Sequence, residues 1–356
     1  MKIVYSYNKT GYDATVWERE IAAASTEAVE FLPFNHQRYL SPQSYLRAQQ
    51  LDDLYWAKSP ALLRLYSDLE ALISRSKADA LLVTNCPPYH PEFLLRLPIY
   101  RILYNTDDPV STYDRNLPYL HAYHHVFYYN PYYRPQRDMA RLLADCGVRN
   151  ADYLPLGVFD AMYDGGKSED ELIQQRRDID LIYIGAAHLS KLATLAAIKR
   201  RYRARFRLHG WFTWKKNVYF NLRYGFPGWI WAAKRRSYVP LYQRSKIGIN
   251  LGDPGIYGIA NYRLYDVPAN GVMLICQGGE AINRFYQVGE EIVAYDSVPE
   301  LLEKVDYYLA HDDERRKIAL AGHRRVVQSY RFGNLTRTMG PMIEKGMKGI
   351  AYVPQR

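Results

Sequence analysis

Arg263 and Asp266 stand three positions apart in the run NYRLYDVPAN, and both side chains suit a phosphorylated ligand. A guanidinium offers a forked pair of donors to phosphate oxygens, and a carboxylate one turn further on can accept hydrogen bonds from a ribose diol. Ahead of them lies a loop holding Gly252, Gly255 and Gly258, which brings Tyr257 and Asn261 into the same turn. A helix that begins after such a loop presents free backbone N–H groups and a partial positive charge to an anion. The pattern predicts a site for a nucleoside diphosphate. The run halts at Gly271 and continues into VMLIC, which suits a buried parallel strand.

Two other stretches bring reactive groups to the ends of strands. In DLIYIGAAHLSKLATL a strand runs into Gly185, and the following turn carries His188 and Lys191 into a helix. The lysine could supply a point charge to phosphates and the histidine a hydrogen bond, although a solvated helix lysine reads equally well. Gly210 closes a neighbouring strand, ARFRLHG. Earlier, IYRILYNTDDP delivers Asp107 and Asp108 to a strand's carboxyl end, where open α/β sheets bind their ligands. With His188 they are the candidate catalytic groups, and a helix N-cap before Pro109 explains the aspartates as cheaply. Asp-Asp-Pro is not a convincing metal site, so no metal is expected.

The elements that must position these residues read as an α/β chain with doubly wound sheets. Strand, glycine-bearing loop and helix open it, with IVYSY, then Gly11, then VWEREIAAAS. EAVEFLPF, ADALLVTN and HHVFYYN supply further strands, and residues 41–76 read as helices with Leu62, Leu65, Leu69 and Leu72 on one face. Residues 160–178 are rich in glycine and charge, which predicts a surface linker with a short helix and places the domain boundary there. Two amphipathic helices follow Tyr295; Ser297 and Glu300 predict a capping box for the first, and Gly322 an interruption of the second.

Three runs carry a family resemblance: RLYDVPANG from Arg263 to Gly271, FYQVGEEIVAY from Phe285 to Tyr295, and DDERRKIALAGHRRV from Asp312 to Val326. They resemble the C-terminal half of family 4-like GT-B glycosyltransferases, in the branch of the spore-maturation CgeB-type proteins, over residues 178–335. That family pairs two acids eight positions apart, with a glycine five beyond the second. Asp266 and Gly271 match the later two places, and Gly258 stands at the first acid's. The resemblance implies a GT-B architecture of two Rossmann-like domains facing a central cleft. Residues 1–165 would form the acceptor domain and 178–330 the nucleotide-sugar domain, with 331–356 a helix across the junction. It also implies hexosyl transfer with retention from a UDP- or GDP-linked donor to a glycan, lipid-linked or protein acceptor. No cofactor is expected beyond that donor. The loop bearing Lys191 would contribute to the diphosphate site.

Composition narrows the partners. The 356 residues carry a net charge of +10, which argues for an anionic partner. No apolar run reaches the length of a spanning helix, no leader pattern opens the chain, and three scattered cysteines support neither disulfides nor zinc. A cytoplasmic setting is expected, at the inner face of a membrane. From Leu181 to Gly252 there is no Asp or Glu, and Trp211, Trp214, Trp229 and Trp231 fall in that stretch. Basic residues among aromatics read as a nucleic-acid groove, an interfacial membrane patch or an ordinary aromatic core. Trp211–Arg236 suits a helical hairpin on an anionic membrane surface. Nucleic acid is disfavoured, because no RNP, KH, zinc or helix-turn-helix signature accompanies the stretch. The alternatives to glycosyl transfer are a non-catalytic GT-B-like or basic nucleic-acid-binding protein, and a GT-B-fold epimerase.

Overall fold

The computed structural model describes residues 1–41, 59–84, 88–106, 116–134, 137–163, 165, 167–186, 189–210, 212–225, 229–252, 261–278 and 280–349. The chain divides into two units, Met1–Pro155 with Phe332–Arg356, and Leu156–Arg331.

In the first unit six strands form one parallel sheet: β1 (Lys2–Tyr7), β2 (Glu30–Asn35), β3 (Ala80–Thr84), β4 (Tyr100–Asn105), β5 (His125–Tyr128) and β6 (Ala151–Tyr153). Their order is β2-β1-β3-β4-β5-β6, so the winding reverses direction at β1. Strands β3 and β4 are buried at every position, as strands covered on both faces must be. The helix Pro60–Ser76 follows an Ser59 cap and turns Leu62, Leu65, Leu69 and Ile73 inward, while Leu72 packs at the core's margin. The C-terminal helix Phe332–Gly349 belongs to this unit: Phe332 meets Tyr5 edge-on at 6.2 Å, and the Thr336 hydroxyl donates to Ala24 O.

The second unit repeats the plan with β7 (Ile179–Ile184), β8 (Phe206–His209), β9 (Ser245–Asn250), β10 (Met273–Gln277) and β11 (Val293–Tyr295), in the order β8-β7-β9-β10-β11. All pairs are parallel, and Ile247 opposite both Leu181 and Met273 fixes the register. Its core is built from Leu181, Tyr183, Leu192, Leu195, Phe206, Ile247, Ile249, Met273 and Ile275.

Several local expectations change. The stretch 160–178 is no surface linker throughout: Met162, Tyr163 and Leu172 are buried, and Asn270 Nδ2 donates to Met162 O at 2.9 Å. The capping box forms at Ser168 and Glu171, whereas at Ser297 the hydroxyl caps Glu300 N but the Glu300 carboxylate accepts from Asp296 N. Gly322 does not interrupt its helix, which runs unbroken over Asp312–Ser329; a Cβ there would lie 2.5 Å from Glu291 O, so glycine permits a close approach instead. Trp211–Arg236 is not a helical hairpin. One helix, Trp214–Tyr224, ends at Gly225 with φ +62°, and residues 229–234 are not helical.

Candidate nucleotide site

The site follows from the winding of the second sheet. β7 is flanked by β8 on one side and β9 on the other, and the carboxyl ends at such a reversal splay apart into a crevice. Gly185 follows β7, Gly210 follows β8, and Asn250 ends β9, so three residues distant in sequence meet there.

Arg263 ties this edge together. Its Nε donates to Asn250 Oδ1 at 3.1 Å and its Nη1 to Ile184 O at 3.3 Å, which bridges the ends of β7 and β9. The guanidinium lies 4.8 Å from the centre of the Tyr183 ring, an arrangement contributing about 0.5–2 kcal/mol. Asn261 supports it twice: its Nδ2 donates to the same Asn250 oxygen at 2.8 Å, and its Oδ1 accepts from Arg263 N at 3.0 Å. Asn250 in turn donates through Nδ2 to Cys276 Sγ at 3.4 Å. Burial pushes the Cys276 thiol up to about 12, so it is a neutral spacer and no nucleophile.

Two glycines are explained by this packing. A Cβ on Gly185 would strike Arg263 Nη1, and one on Gly210 would sit 2.5 Å from Gly185 O. The backbone there is held as well, with Gly185 N donating to His209 O at 3.0 Å and Gly210 N to Trp231 O at 3.3 Å. The missing side chains thus admit the Arg263 guanidinium and the close approach of two adjoining strand ends.

Asp266 lies one turn further along the short helix Arg263–Ala269, 4% exposed, with its Oδ2 3.7 Å from Arg235 Nη1. That ion pair was not foreseen, because Arg235 belongs to the basic stretch read as surface; an unmatched buried acid in the helix was the signal that a cation must meet it. Lys191 is 8% exposed in the first turn of the helix Leu189–Tyr202, and so is not a solvated lysine.

Gly271 stands apart. It precedes β10 with φ +64°, at the amino edge of the sheet, opposite the end that holds Gly185 and Asn250. There it adjoins a cavity of about 390 Å³ whose walls include Arg177, Lys246, Arg315 and Arg316. Arg177 donates to the carbonyls of Tyr242, Gln243, Ser245 and Asn270, which makes it a clamp on that edge. Gly271 therefore serves the turn and does not join the predicted site. Asp107, Asp108, His188 and Tyr257, like Gly255, Gly258 and Trp211, lie outside the described residues. Among the described residues no group of three or more His, Cys, Asp or Glu side chains could hold a metal ion.

Comparison with known proteins bears on the family and the fold. Residues 191–339 match the model of a family described as glycosyl transferase-like, a span that contains Gly210, Asn250, Asn261, Arg263 and Asp266. No curated protein matches the chain in sequence. Among solved structures, sucrose-phosphate synthase from Thermosynechococcus elongatus superposes with a TM-score of 0.65 at 10% identity, covering 98% of this chain and 100% of that one. Anabaena Alr3699/HepE in complex with UDP gives 0.58 at 10% identity over 98% and 100% of the two chains. The UDP-GlcNAc 2-epimerase from Neisseria meningitidis, bound to UDP-GlcNAc, gives 0.52 at 12% identity over 97% and 100%. The two parallel-sheet units thus have the GT-B fold, α/β with two Rossmann-like domains, as the family resemblance implies.

Proposed function

We propose that this chain is a glycosyltransferase that takes its sugar from a nucleoside-diphosphate donor held at the carboxyl edge of β7, β8 and β9. One observation carries the reading: the Gly185–Asn250–Asn261–Arg263 cluster sits at the winding reversal, and all but Gly185 fall in the span that matches the glycosyl transferase-like family. Arg263 already spends Nε and one Nη1 hydrogen on protein acceptors, and its remaining donors are those that would meet the diphosphate. As the glycosidic bond to the leaving group breaks, negative charge grows on the diphosphate. A guanidinium fixed on two strand ends and a tyrosine face stabilises that charge without reorganising. Asp266 would hold the ribose, Asp107 or Asp108 would act on the acceptor hydroxyl, and His188 would bond a phosphate or the sugar. Transfer without a metal, with retention, to a glycan, lipid-linked or protein acceptor belongs to the same proposal.

A second reading has its own support, since the similar Neisseria meningitidis structure is that of an epimerase bound to UDP-GlcNAc. Product analysis separates the two. A transferase turns over a nucleotide sugar to free nucleoside diphosphate and passes the sugar to an acceptor or to water. An epimerase returns a nucleotide sugar of unchanged mass, and that result would overturn the proposal.

A further inference from the structure

The basic, acid-free stretch contains a surface that the nucleotide site does not use. On the helix Trp214–Tyr224, Asn217 and Phe220 point inward, and the opposite side is left to solvent with Trp214, Val218, Tyr219 and Leu222. Leu222 is 83% exposed and Trp214 64%, values foreign to an aromatic core. Beside the helix, Asn217 Oδ1 accepts from Ile230 N at 2.8 Å, which pins the segment 229–231 with Ile230 buried. Trp229 and Trp231 on either side of it face outward, their rings stacked 6.2 Å apart, with Trp231 71% exposed.

The charges around these side chains identify the occupant. Lys215, Lys216, Arg223, Lys234 and Arg236 accompany them in sequence, while Arg235 pairs with Asp266. Lys215 Nζ lies over the Trp214 ring at 5.7 Å, the disposition of a cation that can rise past an aromatic edge. Tryptophans and a leucine ringed by lysine and arginine match an anionic bilayer, whose headgroups take the cations while its acyl boundary takes the rings. Nucleic acid would offer phosphates but no apolar layer for these side chains. Among the described residues no helix is long and apolar enough to cross a membrane, so the contact would be peripheral.

We propose that the outer side of the helix Trp214–Tyr224, with Trp229 and Trp231, seats this protein on an anionic lipid surface. The inference is independent of the glycosyl-transfer reading.

Co-sedimentation of the full chain with vesicles tests it, using phosphatidylcholine alone and phosphatidylcholine mixed with phosphatidylglycerol. The chain should pellet with the mixed vesicles, weaken as salt rises and retain a salt-resistant part, because screening acts on charges and not on apolar burial. Combined Trp214→Ser, Leu222→Ser and Trp231→Ser should lower the affinity about tenfold or more and remove the salt-resistant part. Lys215→Glu with Arg223→Glu should remove the salt-sensitive part. The unfolding midpoint of each variant reports folding, and should the triple variant be destabilised, Leu222→Ser alone is read in its place. Failure to pellet with the mixed vesicles at low salt, or equal pelleting by the variants, would overturn the proposal. So would a dimer in sedimentation velocity that the triple variant abolishes, since a second copy would then be the occupant.

Discussion

At the residue scale, Arg263 is the hub, and its neighbours allow a test that a lone substitution would not. Arg263→Ala should weaken binding of a nucleoside diphosphate by about 1–3 kcal/mol, the range for a hydrogen bond to a charged group. Gly185→Ala should do nearly the same, and should cost stability as far as it breaks the Arg263 bonds to Asn250 and Ile184. Its new methyl displaces the far end of a flexible side chain and not backbone. The two losses should fail to add in the double variant, because both act through one guanidinium; full additivity in calorimetry would separate them. Gly210→Ala meets a carbonyl instead and should lower the unfolding midpoint as well as the affinity. Asp266→Asn should weaken a ribonucleotide more than its deoxy analogue if the carboxylate holds the ribose, and equal losses would leave Asp266 as the partner of Arg235 alone.

At the element scale, strands and their glycines were legible in the sequence, and the partnerships between them were not. IYIG, RLHG and GINLG each mark a strand stopping at a glycine, because a strand's pattern and its end are local properties. The bridge from Arg263 to Ile184 and Asn250 depends on which strands become neighbours, and Arg235 reaches Asp266 from an unrelated segment. Gly322 misled for the same reason: its role is contact with Glu291 O on another element, which helix propensity cannot reveal. In the first unit, His36 follows β2, fully buried, with Nδ1 2.8 Å from Ser6 Oγ. Burial, then the nearby Lys9 charge, holds it down to about 3. The unfolded chain binds this proton below about pH 6.5 and the folded chain does not, so stability is full above that value and falls as pH drops toward 3. The loss should approach about 1.4 kcal/mol per pH unit within that window. His36→Gln should flatten the slope of unfolding free energy against pH, and an unchanged slope would place the acid sensitivity elsewhere.

At the scale of the whole molecule, two units carry sheets wound in the same order, and the chain enters the second at Leu156 and leaves it at Arg331. The α/β alternation was readable in the sequence, and the pair of Rossmann-like domains was implied by the family resemblance. The acceptor could not be read, since loops that shape a pocket carry no periodic signal. Sugar transfer should survive EDTA; its abolition, with rescue by Mg²⁺ or Mn²⁺, would make Asp107 and Asp108 metal ligands. The central claim is that the cluster at the ends of β7 and β9 binds a nucleoside diphosphate. Titration calorimetry of UDP, GDP and their sugars into the wild-type chain and Arg263→Ala, in EDTA, measures it directly. The account predicts saturable binding of at least one nucleoside diphosphate by the wild type, roughly 5- to 150-fold weaker in the variant, the equivalent of its expected loss. Absence of binding by every nucleoside diphosphate, or equal affinity in the two proteins, would contradict it.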